Sequence, residues 1–194
     1  MAAPAIYSTM NETGIDINLV YYLDPKTPEY PAPPFNPGTM AFGSDGSAWV
    51  YVTTSVSLAT GSVCRISEVP GSFSVAAVGG GTIAATAAPV GDLLGVVSGS
   101  QGSLVVGAPS GTQTGAYFWL QRAGNCQALA CANNTTTKNA QLYSSATLAG
   151  QVNSTAGGAG TSYQLNGIVV SQAAGSTAGP NTAVLNWPVV GASA

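Results

Sequence analysis

The sequence predicts an all-β protein, an antiparallel β-barrel or sandwich of the jelly-roll kind, with an extended Pro-rich N-terminal arm. Three observations indicate this class. Apolar residues nowhere recur at the i, i+3, i+4, i+7 spacing of an amphipathic helix. Short runs rich in Val, Ile, Thr and aromatic residues are separated by turn residues, which is the pattern of successive strands. The 25 Gly and 12 Pro among 194 residues interrupt the chain too often for long helices.

The N-terminal region divides into a strand and a stiff connector. Residues 15–23 carry β-forming side chains on both faces, so they predict a strand. Residues 24–38 contain six prolines, which fix φ and lack a ladder N–H, so they predict an extended spacer. We therefore divide the chain into an arm, residues 1–37, and a core domain, residues 38–194. The arm is expected to contact an adjacent subunit or another protein of the same assembly. The alternative is that its strand folds back onto its own barrel.

The first half of the core domain predicts four strands joined by tight turns. They are residues 39–42, 47–55, 63–69 and 72–78. In the second of these, aromatic residues at positions 49 and 51 alternate with valines at 50 and 52. Because both faces carry β-formers, we expect this strand in the centre of a sheet.

The second half predicts a weak strand at 82–88, a stronger one at 93–97 and a short one at 104–106, followed by strands at 116–122, 126–132 and 140–148. A turn at 123–125 is expected to separate the strand at 116–122 from the one at 126–132. In the most aromatic run, Phe118 and Leu120 face one way and Tyr117 and Trp119 the other. One face is therefore expected in the core, and the other against a second layer or a partner. Residues 163–172 and 182–187 are predicted to close the domain as a hairpin.

The scarcity of charge excludes several partners. Charged residues make up 6% of the chain, and the formal net charge is −3. The four basic residues are scattered: Lys26, Arg65, Arg122 and Lys138. Nucleic-acid binding needs several phosphates neutralised together, and a membrane anchor needs a basic cluster, so we expect neither partner. A nearly uncharged sheet is poorly protected against edge pairing, so we expect a homo-oligomer, first a trimer, with a dimer as the alternative.

The residue types that carry catalysis are missing or dispersed. There is no His, no Gly-x-Ser-x-Gly elbow and no phosphate-binding loop, which removes triads and His-ligated metals. The carboxylates lie in separate segments: Glu12, Asp16, Asp24, Glu29, Asp45, Glu68 and Asp92. Asp45 in Gly-Ser-Asp-Gly fits turn chemistry better than a cation site. Trp49 and Trp119 fit a core better than a sugar platform. We expect no enzyme, no catalytic, metal or cofactor-binding residue, and no cofactor.

The cysteines predict free thiols. An odd count, at positions 64, 126 and 131, does not make a disulfide framework. On one continuous strand Cys126 and Cys131 face opposite ways, so a bond between them requires the strand to break. Residues 1–14 show neither the basic nor the apolar region of a signal peptide, so we expect synthesis in a cytoplasm. Four Asn-x-Ser/Thr matches then reflect the Thr-rich composition: Asn11, Asn133, Asn134 and Asn153.

Three local patterns combine into a family resemblance. Residues 38–52 place a Gly-Ser-Asp-Gly turn before a Trp-Val-Tyr-Val strand, and a second turn at 58–64 ends in Gly-Ser-Val-Cys. Residues 91–96 read GDLLGV, and GAYFWLQ follows at 115–121 with Gly124 behind it. The end of the chain carries Asn-Gly-Ile at 166–168 and Val-Leu-Asn-Trp-Pro at 184–188. Together, over residues 38–190, these patterns resemble the capsid decoration, or cement, proteins of tailed bacteriophages.

The resemblance implies a non-enzymatic virion structural protein that binds the outside of a phage capsid and stabilises the shell. The major capsid protein is then the partner, and the capsid surface is the location after synthesis in the host cytoplasm. No catalytic residue is implied, and Trp49, Tyr117 and Trp119 serve as core. The alternative is a receptor- or glycan-binding β module of a phage fibre or surface adhesin, which the Ser/Thr/Asn/Gly-rich surface suits equally. The two differ in location, because a decoration protein coats the whole head.

Overall fold

The computed structural model describes residues 15–23, 33–69, 72–79, 90–97, 114–131, 137–157, 162–171 and 179–193. Within these ranges the chain forms eleven β-strands and no helix. The first six are β1 (Tyr21–Leu23), β2 (Met40–Phe42), β3 (Ala48–Thr54), β4 (Val63–Val69), β5 (Ser72–Ala77) and β6 (Leu94–Val97). The others are β7 (Gly115–Cys131), β8 (Leu142–Ser144), β9 (Val152–Asn153), β10 (Tyr163–Val170) and β11 (Gly179–Ser193). The all-β class is confirmed, and the architecture is barrel-like.

Five strands close into a small barrel. β3 pairs antiparallel with β7, β7 with β6, β6 with β4, and β4 with β5. A parallel contact between Thr53 of β3 and Ser74 of β5 closes the ring. β2 pairs antiparallel with β3 along the rest of the edge that β5 contacts, with Ala41 opposite Trp49. β3 therefore lies in the centre of the sheet, as its β-formers on both faces predict.

The long strand β7 also belongs to a second ring. Its C-terminal half pairs with β11, β11 with β10, β10 with β8, and β8 with β9. β9 returns to β7 through a parallel contact between Val152 and Cys131. At 17 residues, β7 is far longer than an ordinary strand of about 5–6 residues, and this length lets it serve both rings. The predicted closing hairpin is confirmed as β10 and β11.

Three apolar clusters fill these layers. The first barrel encloses Val50, Val52, Leu58, Cys64, Ile66, Val75, Val97, Phe118 and Leu120. The second ring packs around Cys126, Leu129, Leu142, Leu165, Ile168, Leu185 and their neighbours. The third cluster lies on the outer side of β3 and β7: Ile15, Ile17, Ala41, Trp49, Tyr51 and Trp119. Alternate residues of β3 and β7 thus enter different clusters, as the period of two predicts.

The N-terminal segment, residues 15–23, covers the outer side of the first barrel. Ile15 and Ile17 are buried there, and Tyr21–Leu23 adds to the edge of β7 as β1. Between these parts the carboxylate of Asp16 accepts the N–H of Asn18 at 2.9 Å. The expectation of one strand over the whole of residues 15–23 is therefore wrong. The aspartate side chain bonds locally to the backbone and competes with the ladder.

In the single chain this segment folds back onto its own sheet, which is the alternative considered for the arm. Phe35 joins the same surface, with its ring 5.2 Å from that of Trp119. Residues 1–14 and 24–32 lie outside the described residues. The division of the chain into residues 1–37 and 38–194 stays a prediction.

The prediction of a turn at residues 123–125 is wrong, because these residues lie inside β7. The strand continues through this tripeptide without reversing direction, because Gly124, at a φ of +90°, bends it locally. The side-chain amide of Gln121 donates to the carbonyls of Ala123 at 3.1 Å and Asn125 at 2.9 Å. A turn-like sequence has therefore become a bend inside one strand.

Both cysteines of β7 enter the core of the second ring, which corrects the expectation that they face opposite ways. The register pairs Cys126 with Ala183 and Leu129 with Asn181, so two residues of β7 oppose one of β11. This β-bulge shifts the alternation by one residue, so Cys126 and Cys131 both face inward. Both thiols are free, as predicted, and so is the third cysteine.

The remaining strand predictions have mixed outcomes. The predicted strands at 82–88 and 104–106 lie outside the described residues. The run 140–148 contains a strand only at β8, and a further short strand, β9, follows it. β11 is much longer than the predicted 182–187 and continues to Ser193.

Candidate interaction surface

Asp45 serves the turn before β3. Its carboxylate accepts the N–H of Ser47 at 3.0 Å, and Gly46 donates to the carbonyl of Gly43 at 3.1 Å. Burial alone would raise the pKa of Asp45, but the hydrogen bonds from Ser47 outweigh it, and the pKa lies below its ordinary value. Among the described residues, no three His, Cys, Asp or Glu side chains come together in a group that could hold a metal ion. The geometry of Asp45 is that of the turn residue the sequence predicts.

Trp49 and Trp119 are inaccessible as a sugar platform. Their exposed fractions are 2% and 1%. The indole N–H of Trp49 donates to the hydroxyl of Ser47 at 3.0 Å. The ring of Trp119 packs against Tyr51, with 5.0 Å between centroids. Both tryptophans are core residues.

An ion pair and two of the three buried thiols are further ionisable groups of the fold. Arg65 and Asp92 form an ion pair that joins β4 to the residues before β6. Burial raises the pKa of the Cys64 thiol, and it raises that of Cys126 to about 11. Thiols that stay protonated at neutral pH are weak nucleophiles and weak metal ligands. Within the described ranges, no helix has the length and hydropathy that a bilayer span requires.

The N-terminal half of β7 is covered on both faces. Phe118 and Leu120 point into the first barrel, and Trp119 points the other way. On that side Trp119 meets the residues of the N-terminal segment and Phe35. The outer side of this half is therefore a second core layer.

The C-terminal half of β7 reaches solvent on one face at Asn125. Asn125 on β7 lies opposite Val184 on β11, and Val184 lies opposite Val169 on β10. All three are exposed, the two valines by 43% and 44%. Asn186, two residues beyond Val184, is also exposed on this side. We call these four residues, Asn125, Val169, Val184 and Asn186, the bare face.

The bare face carries no charge. Its centre is a directly opposed pair of valines, and amide side chains flank it along and across the strands. Lys138 stands near its margin, because the next residue, Asn139, donates its N–H to the carbonyl of Val170 at 3.2 Å. A small apolar centre with an uncharged polar surround has the chemistry of a protein contact.

Trp187 lies in a bulge of β11, one residue beyond Asn186 of the bare face. Its φ of +48° lies in a region that bulky residues rarely adopt. Three residues of β11 here oppose the single residue Gly167 of β10. A Cβ on Gly167 would lie 2.5 Å from the Asn186 carbonyl oxygen, so glycine is what allows the bulge. The indole stays 43% exposed, and bulges often re-aim a side chain at functional positions.

The guanidinium of Arg122 packs against the ring of Trp187. Its guanidinium carbon lies 5.2 Å from the centroid of the indole ring, within cation–π range. Its Nε donates to the carbonyl of Leu94 at 3.1 Å, and an Nη donates to that of Pro188 at 3.4 Å. Burial lowers the pKa of Arg122, and the charge of Glu68 partly offsets the effect. The arginine thus ties β6, β7 and β11 together where the two rings meet.

Sequence reasoning missed the bare face. The closing hairpin does not alternate between apolar and polar residues at these positions, because Val169 lies between Ile168 and Val170, and Val184 lies between Ala183 and Leu185. In such all-apolar runs the period of two cannot say which face is solvent. The exposed conformation of Trp187 had no sequence signal beyond the Pro that follows it.

No family model matches the chain, and no curated protein matches it in sequence.

Proposed function

We propose that the chain is a non-enzymatic virion structural protein that binds the outside of a phage capsid and stabilises the shell. The proposal includes self-association, with a trimer favoured over a dimer, and the major capsid protein as the docking partner. Its origin is the family resemblance of residues 38–190. The bare face is the observation that supports it in the structure, because it offers an uncharged docking surface on a rigid scaffold.

The physical argument concerns which surfaces are still open. The aromatic side of the first barrel is already filled by the chain itself, whereas the equivalent side of the second ring exposes Val169 and Val184. Apolar area of this kind gains free energy when a partner covers it, at about 25 cal/mol per Å². A shell contact repeated over many copies needs little affinity per copy. A small apolar centre with an amide surround suits that requirement.

The bare face also lacks the features of a glycan site. Two of the three tryptophans are buried, and the third, Trp187, already contacts Arg122. Glycan sites combine aromatic platforms with several aligned hydrogen-bonding groups. The receptor-binding alternative therefore enters as an outcome of the test.

The test is co-sedimentation of the chain with heads assembled from the major capsid protein of the same genome. We expect many copies on each head, and at least a tenfold loss of affinity, about 1.4 kcal/mol, for Val184→Asp and for Val169→Asp. Val56→Asp is the matched control, because Val56 is exposed to a similar extent, 46%, next to the first barrel.

Two results would overturn the proposal. One is a folded chain that does not bind heads at all. The other is a chain that binds host-cell glycans and sits at a few sites of the particle, which is the receptor-binding alternative. Equal loss for Val56→Asp and Val184→Asp would remove the bare face as the docking surface.

A further inference from the structure

We infer that the N-terminal segment, residues 15–23, is exchanged between copies of the chain, so that the segment of one copy seats on the outer side of β3 and β7 of the next. The inference rests on the self-association in the proposed function, but it needs no capsid. It names the contact through which the copies associate.

The seat is a defined and separable contact. The segment buries Ile15 and Ile17 against Trp49 and Trp119, and three residues of β1 pair with the edge of β7. One more backbone bond, from the N–H of Thr114 to the carbonyl of Leu23 at 3.0 Å, ends the ladder. These contacts hold one short element and no other part of the fold.

Every copy of the chain carries an identical N-terminal segment, which can occupy this site on another copy. A segment arriving from another copy makes the same side-chain contacts and the same ladder as the chain's own segment. Exchange of identical elements is therefore a low-cost route to association. The low charge adds to this, because a net charge of −3 over 194 residues gives little repulsion between copies.

The sequence gives the segment the reach it needs. Nine residues, 24–32, separate Leu23 from Pro33, and three of them are proline. Nine residues span at most about 30 Å, which is comparable with the diameter of a small domain. Proline lacks the ladder N–H, so the connector is a poor competitor for the same sheet edge.

The segment also leaves apolar surface uncovered when it seats on its own chain. Leu19 and Leu23 remain 45% and 38% exposed on a segment whose isoleucines are buried. A second copy brought alongside by exchange can cover the leucines, which fold-back leaves in water.

Cysteine pairs across β1 and β7 test the exchange. Tyr22 and Ala116 are directly opposed, and the Cα atoms of opposed antiparallel residues lie about 4.5–5.5 Å apart, which is within the Cα range of disulfides. One preparation carries Tyr22→Cys and the other carries Ala116→Cys. They are mixed, held at millimolar concentration and then oxidised. The three native cysteines are buried, so they are not expected to form disulfides between copies.

We expect a covalent dimer of the two different variants on a non-reducing gel. Its yield should rise at least about tenfold between micromolar and millimolar protein, since exchange competes with an effective concentration in the millimolar range. The matched control mixes Tyr21→Cys with Ala116→Cys, because Tyr21 points to the opposite face of β1 and cannot reach. The dimer should be absent there.

A single chain that carries both Tyr22→Cys and Ala116→Cys tests for the opposing outcome, in which the segment pairs only with its own chain. If it forms only an internal disulfide and the mixed preparations give no dimer at any concentration, the inference is wrong. Should Ala116→Cys fail to fold, Tyr21→Cys with Tyr117→Cys replaces it as a second opposed pair. Head binding is measured separately, so loss of exchange with head binding intact rejects this inference and leaves the capsid proposal standing.

Discussion

The two halves of β7 carry out different tasks along one continuous strand. The half from Gly115 to Ala123 has core on both faces, and its outer aromatic side is closed by the N-terminal segment. The half beyond Gly124 contributes Cys126, Leu129 and Cys131 to the core of the second ring, and its other face is open at Asn125. The difference shows how one strand stabilises the molecule at one end and presents a surface at the other. Buried substitutions in the first half should mainly change stability, and substitutions on the bare face beside the second half should change binding to heads.

Trp119 gives the largest expected effect on the covered half. Trp119→Ala removes a side chain that is 1% exposed and in contact with Tyr51 and Phe35. Loss of a buried aromatic side chain costs about 3–5 kcal/mol of the free energy of unfolding, because a cavity remains. Urea titration followed by circular dichroism measures it. A loss below 1 kcal/mol would show that the N-terminal segment collapses onto the gap, and that the covered layer is not a rigid core.

The next largest effect is expected from the buried thiols, whose effect on stability at high pH compares the interior of the first barrel with that of the second ring. Cys64 lies in the first barrel and Cys126 in the second ring, and burial raises both pKa values in the folded protein, that of Cys126 to about 11 from 9.0. A raised folded pKa stabilises the neutral thiol, so this stability is complete below pH 9 and is lost as pH rises through about 11. For Cys126 the loss approaches about 3 kcal/mol.

The measurement is the free energy of unfolding between pH 8 and 11. Cys126→Ala should reduce the decline in this window without abolishing it, because Cys64 still contributes, and Cys64→Ala should leave the decline that Cys126 causes. The matched condition is pH 8, where each variant differs from the parent only by its packing change. An unchanged slope in Cys126→Ala would mean that this thiol titrates at its ordinary pKa, and that the second ring admits water.

How well the sequence predicts the difference between the two halves of β7 varies from residue to residue. The two faces of β3 and the aromatic half of β7 were predictable, because strict alternation of aromatic and aliphatic residues states which side chains lie together. Gly124 was misjudged because Ala-Gly-Asn suits both a reversal and a bend, and only the long-range ladders to β3 and β11 decide between them. The inward turn of Cys126 and Cys131 depends on a bulge, which has no local signal.

The candidate surface was harder to predict than the fold. Val169 and Val184 are as apolar as their buried neighbours, so composition could not mark them as exposed. Their exposure follows from which strands find a covering layer, and that is settled by chain topology. The N-terminal segment covers the first barrel, and nothing in the described chain covers the valine pair of the second ring.

The junction between the halves gives an intermediate effect. Gly124→Ala places a Cβ 2.7 Å from the Cα of Ser47, at a φ of +90° that side chains rarely adopt. We expect a loss of about 1–3 kcal/mol, because both the strain and the backbone contact resist relief. The control is Gly46→Ala, which has a φ of +80° but no atom within 4 Å of the added Cβ, so it isolates the strain from the clash. Equal losses at both positions would mean that the contact with Ser47 contributes nothing.

Val184 gives the smallest effect on stability and so defines the other end of the comparison. Val184→Thr keeps the β-branched shape on a strand position that is 43% exposed, and it lies away from all three apolar clusters. Exposed substitutions of this kind stay within about 0.5 kcal/mol. The neighbouring buried position is the matched control, because Leu185→Thr places a hydroxyl in the core of the second ring and should cost several times more. Thermal unfolding of both variants measures the contrast. If Val184→Thr were as damaging as Leu185→Thr, the valine would already be covered in solution, and the bare face would be an interface between copies of the chain.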